Sequence, residues 1–182
     1  MVTDLAAGAA DSVLESFYRL DKMAEEIEVQ IVHLLTERGE TLALAESCTG
    51  GCIAHLLTNV PGASAVFPAG FVTYSEEAKR KFLGVSPDTL ARHGAVSEPV
   101  AREMAEGVRR VTGADYGLAV TGIAGPGGGS AEKPVGTVFI AAAGWRETVV
   151  RAQLNPSERV AFKEATARQA LQQLRALVES TG

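Results

Sequence analysis

The chain has 182 residues, 46% hydrophobic and 21% charged, which suits a single domain with a full core and weighs against disorder. Its formal net charge of -5 and the lack of any Lys/Arg-rich run leave no footprint for nucleic acid. No apolar run approaches the roughly 18–20 residues of a membrane span, and Cys48 and Cys52, the only cysteines, make no disulfide framework, so a soluble protein in a reducing, cytoplasmic location is expected.

In chain order, MVTDLAAGAADS has an acid at Asp4 and no basic flank, so it reads as a frayed tail rather than a signal peptide. Residues 1–18 are therefore taken as a tail and the start of the first helix, and 19–182 as one domain. From Ser12 to about Arg38, apolar residues such as Phe17, Leu20, Ile27, Ile31 and Leu35 recur every three or four positions, which predicts an amphipathic helix closed by Gly39. Thr41 to Ala45 is a short strand, and Gly50 to Asn59 a helix. Ala65 to Thr73 (AVFPAGFVT) is strand-like, with Pro68 and Gly70 placing it at an edge or a bulge. Ser75 caps a helix to Leu83, with Glu76 and Glu77 suited to its first turn. A helical turn over Ser86 to His93 precedes a helix over Ser97 to Thr112, whose cap and first turn are Ser97-Glu98-Pro99. Tyr116 to Val120 is a buried-type strand, and Val135 to Ala143 and Glu147 to Leu154 form a hairpin around Gly144-Trp145-Arg146. A last helix runs from Ser157 to about Val178, with Val160, Ala167, Leu171 and Leu174 on its apolar stripe. Strands alternating with helices, then a hairpin and a helix, predict a three-layer α/β/α sandwich with a mixed, mostly parallel sheet.

Three stretches concentrate chemistry. In LALAESCTGG (Leu42 to Gly51) an apolar strand stops in a glutamate, three potential nucleophiles or donors (Ser47, Cys48, Thr49) and two glycines. Such a strand-to-helix turn points backbone N–H groups at the sheet's carboxyl edge, as an oxyanion hole or phosphate seat requires; a helix cap at Thr49 with a tight turn at Gly50 and Gly51 would also account for it. In TYSEEAK, Tyr74 ends a strand and Lys79 lies a turn into the next helix, so both side chains reach one sheet edge, although a lysine there also fits as a solvated charge. The only histidines, His33, His55 and His93, lie in amphipathic helices or before a turn, so none is an obvious base; a partly buried lysine with a lowered pKa could serve instead. In TGIAGPGGGSAEKPVG, five glycines between Gly122 and Gly129 favour backbone approach to a ligand over a plain lid. No GxSxG elbow, GKS/GKT loop, Rossmann fingerprint or zinc spacing is present.

Together, LALAESCTGG, VPGASAVFPAGFVTYSEEAK, HGAVSEPVAREMA and VTGIAGPGGGSAEKPVGTVF resemble the CinA C-terminal domain family, the PncC-type nicotinamide-nucleotide amidohydrolases, over roughly Glu26 to Val178. Many members carry a larger N-terminal domain, so a chain of 182 residues is expected to be a stand-alone form. The resemblance implies hydrolysis of the carboxamide of nicotinamide mononucleotide to nicotinate mononucleotide and ammonia, with no metal and no cofactor. It assigns Ser47, Tyr74 and Lys79 as catalytic residues, and places Thr121, Gly122 and Gly125 at the nucleotide. On this reading Ser47 is the nucleophile, Lys79 its base directly or through Tyr74, and the backbone of Cys48, Thr49, Gly50 and Gly51 the oxyanion and substrate seat, with Thr49 as helix cap. Cys48 is the rival nucleophile, because a thiol at a helix start can have a lowered pKa; adjacent residues diverge at such a turn, so Ser47 and Cys48 are expected in different pockets. A pocket-bearing regulatory domain without efficient turnover is the alternative. The partner expected is a small nucleotide, and a homo-oligomer, simplest as a dimer, would suit the exposed edge strand.

Overall fold

A computed structural model of the chain describes residues 26–181, so the expected tail and the first part of the first predicted helix lie outside the described residues. In chain order the elements are α1 (Ile27–Arg38), β1 (Leu42–Glu46), α2 (Cys52–Thr58), a 3-10 turn (Ala63–Ala65), β2 (Ala69–Val72), α3 (Glu76–Leu83), α4 (Pro87–His93), α5 (Glu98–Thr112), β3 (Tyr116–Gly122), β4 (Thr137–Ala143), β5 (Thr148–Leu154) and α6 (Arg159–Ser180). The strands form one sheet in the order β2-β1-β3-β4-β5. β1 is parallel to both β2 and β3, whereas β4 is antiparallel to β3 and β5, so β4 alone runs against the other four. The expected mixed, mostly parallel α/β sheet is present.

The alternation in LALA separates two cores. Leu42 and Leu44, with Tyr116, Leu118 and Val120 of β3, pack against α1, α2 and α6 on one face. Ala43 and Ala45, with Ala119, Ala141 and Ala143, meet α3, α4 and α5 on the other. Each large aliphatic side chain buried on the first face contributes about 1.5–3 kcal/mol. On the second face small residues let helix and sheet backbones approach closely. A Cβ on Gly117 of β3 would lie 2.1 Å from the Ala105 carbonyl oxygen of α5, and one on Gly107 of α5 would lie 2.2 Å from the Leu83 carbonyl oxygen at the end of α3.

Three expectations are revised. The strand expected over Ala65 to Thr73 is confined to Ala69–Val72, because Ala63–Ala65 turns as a 3-10 helix, the Phe67 amide bonds back to the Ala63 carbonyl, and Pro68 has no amide to donate. Its edge position holds, since it pairs with β1 alone. Ser97 precedes α5 but does not cap it by its side chain, which donates to the Gly94 carbonyl instead. Val160 is exposed rather than on the apolar stripe of α6, which is led by Phe162.

The parallel register brings the three chemical stretches together. Glu46 at the end of β1 lies opposite both Val72 of β2 and Val120 of β3. The Thr73 amide then donates to the Glu46 carbonyl, and the Ser47 amide to the Val120 carbonyl. Ser47, Thr73 and Thr121 are thus next to one another at the carboxyl edge, where strand order reverses and open α/β sheets place their ligand crevice.

Candidate active site

β1 delivers Ser47 to this edge and α3 delivers Lys79. Ser75 caps α3 by accepting from the Ala78 amide, as expected, which sets the first turn that carries Lys79 inward. Lys79 is 1% exposed, and its Nζ lies 3.0 Å from Ser47 Oγ and 2.7 Å from the Thr73 carbonyl oxygen. Burial holds the Lys79 ammonium below the ordinary lysine value of 10.5, with Cys48 and Glu76 opposing the shift. A neutral amine has two hydrogens and one lone pair. Nζ donates to both Ser47 Oγ and the Thr73 carbonyl; in a neutral amine one hydrogen would stay on that carbonyl, which can only accept, and the lone pair could turn to Ser47 Oγ–H.

These two residues line a cleft of about 190 Å³ with Cys48, Tyr74, Glu76, Ala95, Val96, Thr121, Gly122, Ala124 and Arg159. A larger hollow of about 690 Å³, lined by Glu77, Arg80, Lys81, Gly84, Val85 and Pro87, holds no nucleophile. The Thr121 hydroxyl donates to the Ala95 carbonyl, tying the end of β3 to the loop before α5. Tyr74 sits at the mouth, 60% exposed. Its hydroxyl accepts from Arg159 Nη2 at 2.6 Å, while Arg159 Nη1 donates to the Gly125 carbonyl at 2.8 Å. Tyr74 therefore shares the cleft with the Ser47–Lys79 pair but is hydrogen-bonded to Arg159, not to either of them.

The turn after Ser47 departs from expectation. Thr49 is not the helix cap: its hydroxyl donates to Glu46 Oε2 at 2.6 Å, and Gly51, with φ of +96°, occupies the cap position. The Glu46 carboxylate takes the amides at the start of α2, Gly51 and Ile53 through Oε2 and Ala54 through Oε1. The Gly50 amide donates to the Ser47 carbonyl and that of Cys52 to the Thr49 carbonyl. Among the described residues, the amides of Cys48 and Thr49 are the ones in this turn that no oxygen takes up. Of the Cys48 to Gly51 amides expected to seat an oxyanion, those of Gly50 and Gly51 are thus engaged elsewhere. Gly50 and Gly51 instead border a separate hollow of about 370 Å³ with Cys52, His55, Val160, Lys163 and Glu164.

Cys48 shares the cleft with Ser47, against the expectation that the two diverge. Its thiol is nonetheless a poor rival. It is buried against the apolar core, and burial pushes it up to about 12, so it stays protonated at neutral pH despite the Cys48 and Thr49 amides beside it. Of the remaining nucleotide-site expectations, Thr121 and Gly122 line the cleft, whereas Gly125 contributes its carbonyl to Arg159.

Sequence reasoning assigned no role to Glu46, Ala95, Val96 or Arg159. An acid ending an apolar strand before a glycine turn was a legible signal for Glu46. Arg159 lies 85 positions from Tyr74, and nothing local connects the two.

The profile of the CinA C-terminal domain matches residues 24–178. A CinA-like protein of Anaeromyxobacter dehalogenans is 56% identical over 138 residues, 75% of this chain and 34% of its own length. A CinA-like protein of Syntrophus aciditrophicus is 53% identical over 152 residues, 83% of this chain and 36% of its own. The chain thus spans about a third of the length of the curated relatives it matches. Among solved structures, the competence/damage inducible protein CihA of Agrobacterium tumefaciens superposes with a TM-score of 0.81 at 45% identity, covering 84% of this chain and 93% of its own. A competence-damaged protein (CinA) superfamily protein of Klebsiella pneumoniae gives 0.82 at 35% identity, covering 85% and 97%. With the motifs, the sheet order and these relatives in agreement, the chain belongs to the CinA C-terminal domain family.

Proposed function

We propose that the chain hydrolyses the carboxamide of nicotinamide mononucleotide, releasing ammonia and nicotinate mononucleotide. The observation that carries this reading is the buried contact of 3.0 Å between Lys79 Nζ and Ser47 Oγ. An amide is a weak electrophile, so its hydrolysis needs an activated nucleophile, donors for the oxyanion and an acid for the leaving nitrogen. Lys79 in its neutral form, which burial favours, takes the Ser47 proton as Oγ bonds to the carboxamide carbon. The oxyanion settles on the Cys48 and Thr49 amides. Lys79 then returns the proton as the C–N bond breaks and ammonia leaves. Water, deprotonated by the same amine, attacks the acyl carbon, and the lysine ammonium gives that proton to Ser47 Oγ as the ester C–O bond breaks. The direct Lys79 route is supported over a Tyr74 relay, because the Tyr74 oxygen is engaged by Arg159. Arg159 adds a permanent positive charge to the wall, suited to a phosphate.

The test is ammonia release from nicotinamide mononucleotide. Wild type and Cys48→Ala should both turn over, and Ser47→Ala should not; an active serine variant sinks the scheme. A wild-type protein that binds the nucleotide, with a raised melting temperature, but releases no ammonia would favour the regulatory alternative.

A further inference from the structure

Glu46 stands one residue before the proposed nucleophile and is 1% exposed. Its carboxylate makes four contacts, from the Thr49 hydroxyl at 2.6 Å and the amides of Gly51 at 2.9 Å, Ile53 at 3.2 Å and Ala54 at 2.9 Å. Its main-chain carbonyl accepts the Thr73 amide at 2.8 Å, and the Thr73 carbonyl in turn holds Lys79 Nζ. One residue therefore ties the turn that follows Ser47, the first turn of α2 and the segment that orients the lysine.

We propose that Glu46 is a positioning residue for the oxyanion seat. By drawing the Thr49 hydroxyl and the three helix amides inward, it decides which amides of the turn are spent on structure. The Cys48 and Thr49 amides are spent on no oxygen and face the Cys48 thiol, which gives them up more readily than a carboxylate would. A buried carboxylate suits this task because both of its oxygens only accept, so every donor around it is held in place. Removing the charge by Glu46→Gln would set an NH₂ group against an amide N–H, or against the Thr49 hydroxyl, and release part of the turn. Glu46 does not touch the reacting atoms, so its effect is on the geometry of attack rather than on substrate affinity.

This inference rests on Ser47 as the nucleophile but not on the identity of the substrate, and its test uses both. Glu46→Gln is compared with wild type at a temperature where circular dichroism shows both fully folded. The first readout is turnover of nicotinamide mononucleotide, separated into kcat and KM. The second is the rate at which a fluorophosphonate labels Ser47. In that step the Oγ–P bond forms, the P–F bond breaks with loss of fluoride, and the serine proton goes to Lys79. The expected result is a fall on the order of 10²-fold in both kcat and labelling rate, with KM changed less than about threefold. Folded Glu46→Gln with both rates within about threefold of wild type, or a loss carried by KM, overturns the proposal. If Glu46→Gln does not fold, Thr49→Val removes one of the four contacts and should lower both rates in parallel by about fivefold or more; unchanged rates overturn it. If wild type labels at Ser47 but releases no ammonia, the substrate assignment falls and the labelling comparison still decides the role of Glu46.

Discussion

At the scale of the residue, Lys79 is the most constrained charge, because a lysine this buried must either find a counter-charge or lose its proton more readily. No carboxylate salt bridge holds its Nζ among the described residues, and its partners are a hydroxyl and a carbonyl. Two outcomes follow from its depressed pKa. Activity should rise with pH as Lys79 deprotonates and level off below its ordinary value of 10.5. Stability should also rise with pH between the lowered folded value and 10.5, because over that window the unfolded chain binds the proton that the folded chain has lost. Lys79→Met, which keeps a long apolar stem in the site, should lack this rise in denaturant titrations across pH. The same variant should lose about 10²–10⁴-fold in turnover. A Lys79→Met protein with near-normal ammonia release would remove the lysine from the mechanism.

At the scale of the element, the face of the sheet covered by α5 depends on closeness rather than bulk. Gly107 lets α5 lie against the end of α3, where any Cβ would collide with the Leu83 carbonyl. Gly107→Ala should therefore force the two helices apart, at a cost of about 1–3 kcal/mol in urea unfolding. Since α3 carries Lys79, turnover should fall as well, and a variant of unchanged stability would show that the contact is relieved by a small shift. Side chains serve helix starts here in two ways. Ser75 and Ser86 cap through their own hydroxyls, each accepting an amide three residues on. α2 is served instead by a carboxylate five residues before its cap, which is why Thr49, the local candidate, has another task.

At the scale of the whole molecule, Arg159 at the start of α6 closes the cleft over Tyr74 and the glycine-rich segment. If the substrate is a mononucleotide, Arg159→Ala should raise its KM by about tenfold or more while changing that of nicotinamide riboside little, as loss of a charge-assisted contact to phosphate predicts. Equal effects on both substrates would place Arg159 in support of Tyr74 alone. No described helix is long and apolar enough to cross a membrane.

Much of this was legible in the sequence, for stated reasons. Alternation in LALA and the runs in YGLAV and VFIAAA reveal strands because side chains alternate across a sheet, and Gly39 reveals the end of α1 because a helix stops readily in a left-handed glycine. The resemblance of ESCTGG and TYSEEAK to the family singles out Ser47 and Lys79, whereas the residues alone leave Ser47, Cys48 and Thr49 open. What the sequence could not decide was every relation that crosses the sheet. The register that sets Glu46 opposite Val72 and Val120, the burial that keeps Cys48 a thiol and lowers the pKa of Lys79, and the reach of Arg159 to Tyr74 arise only when strands distant in sequence become neighbours. Periodicity reports which face of an element is apolar; which polar groups then compete for the same amides is settled by packing, and there Glu46 rather than Thr49 prevailed.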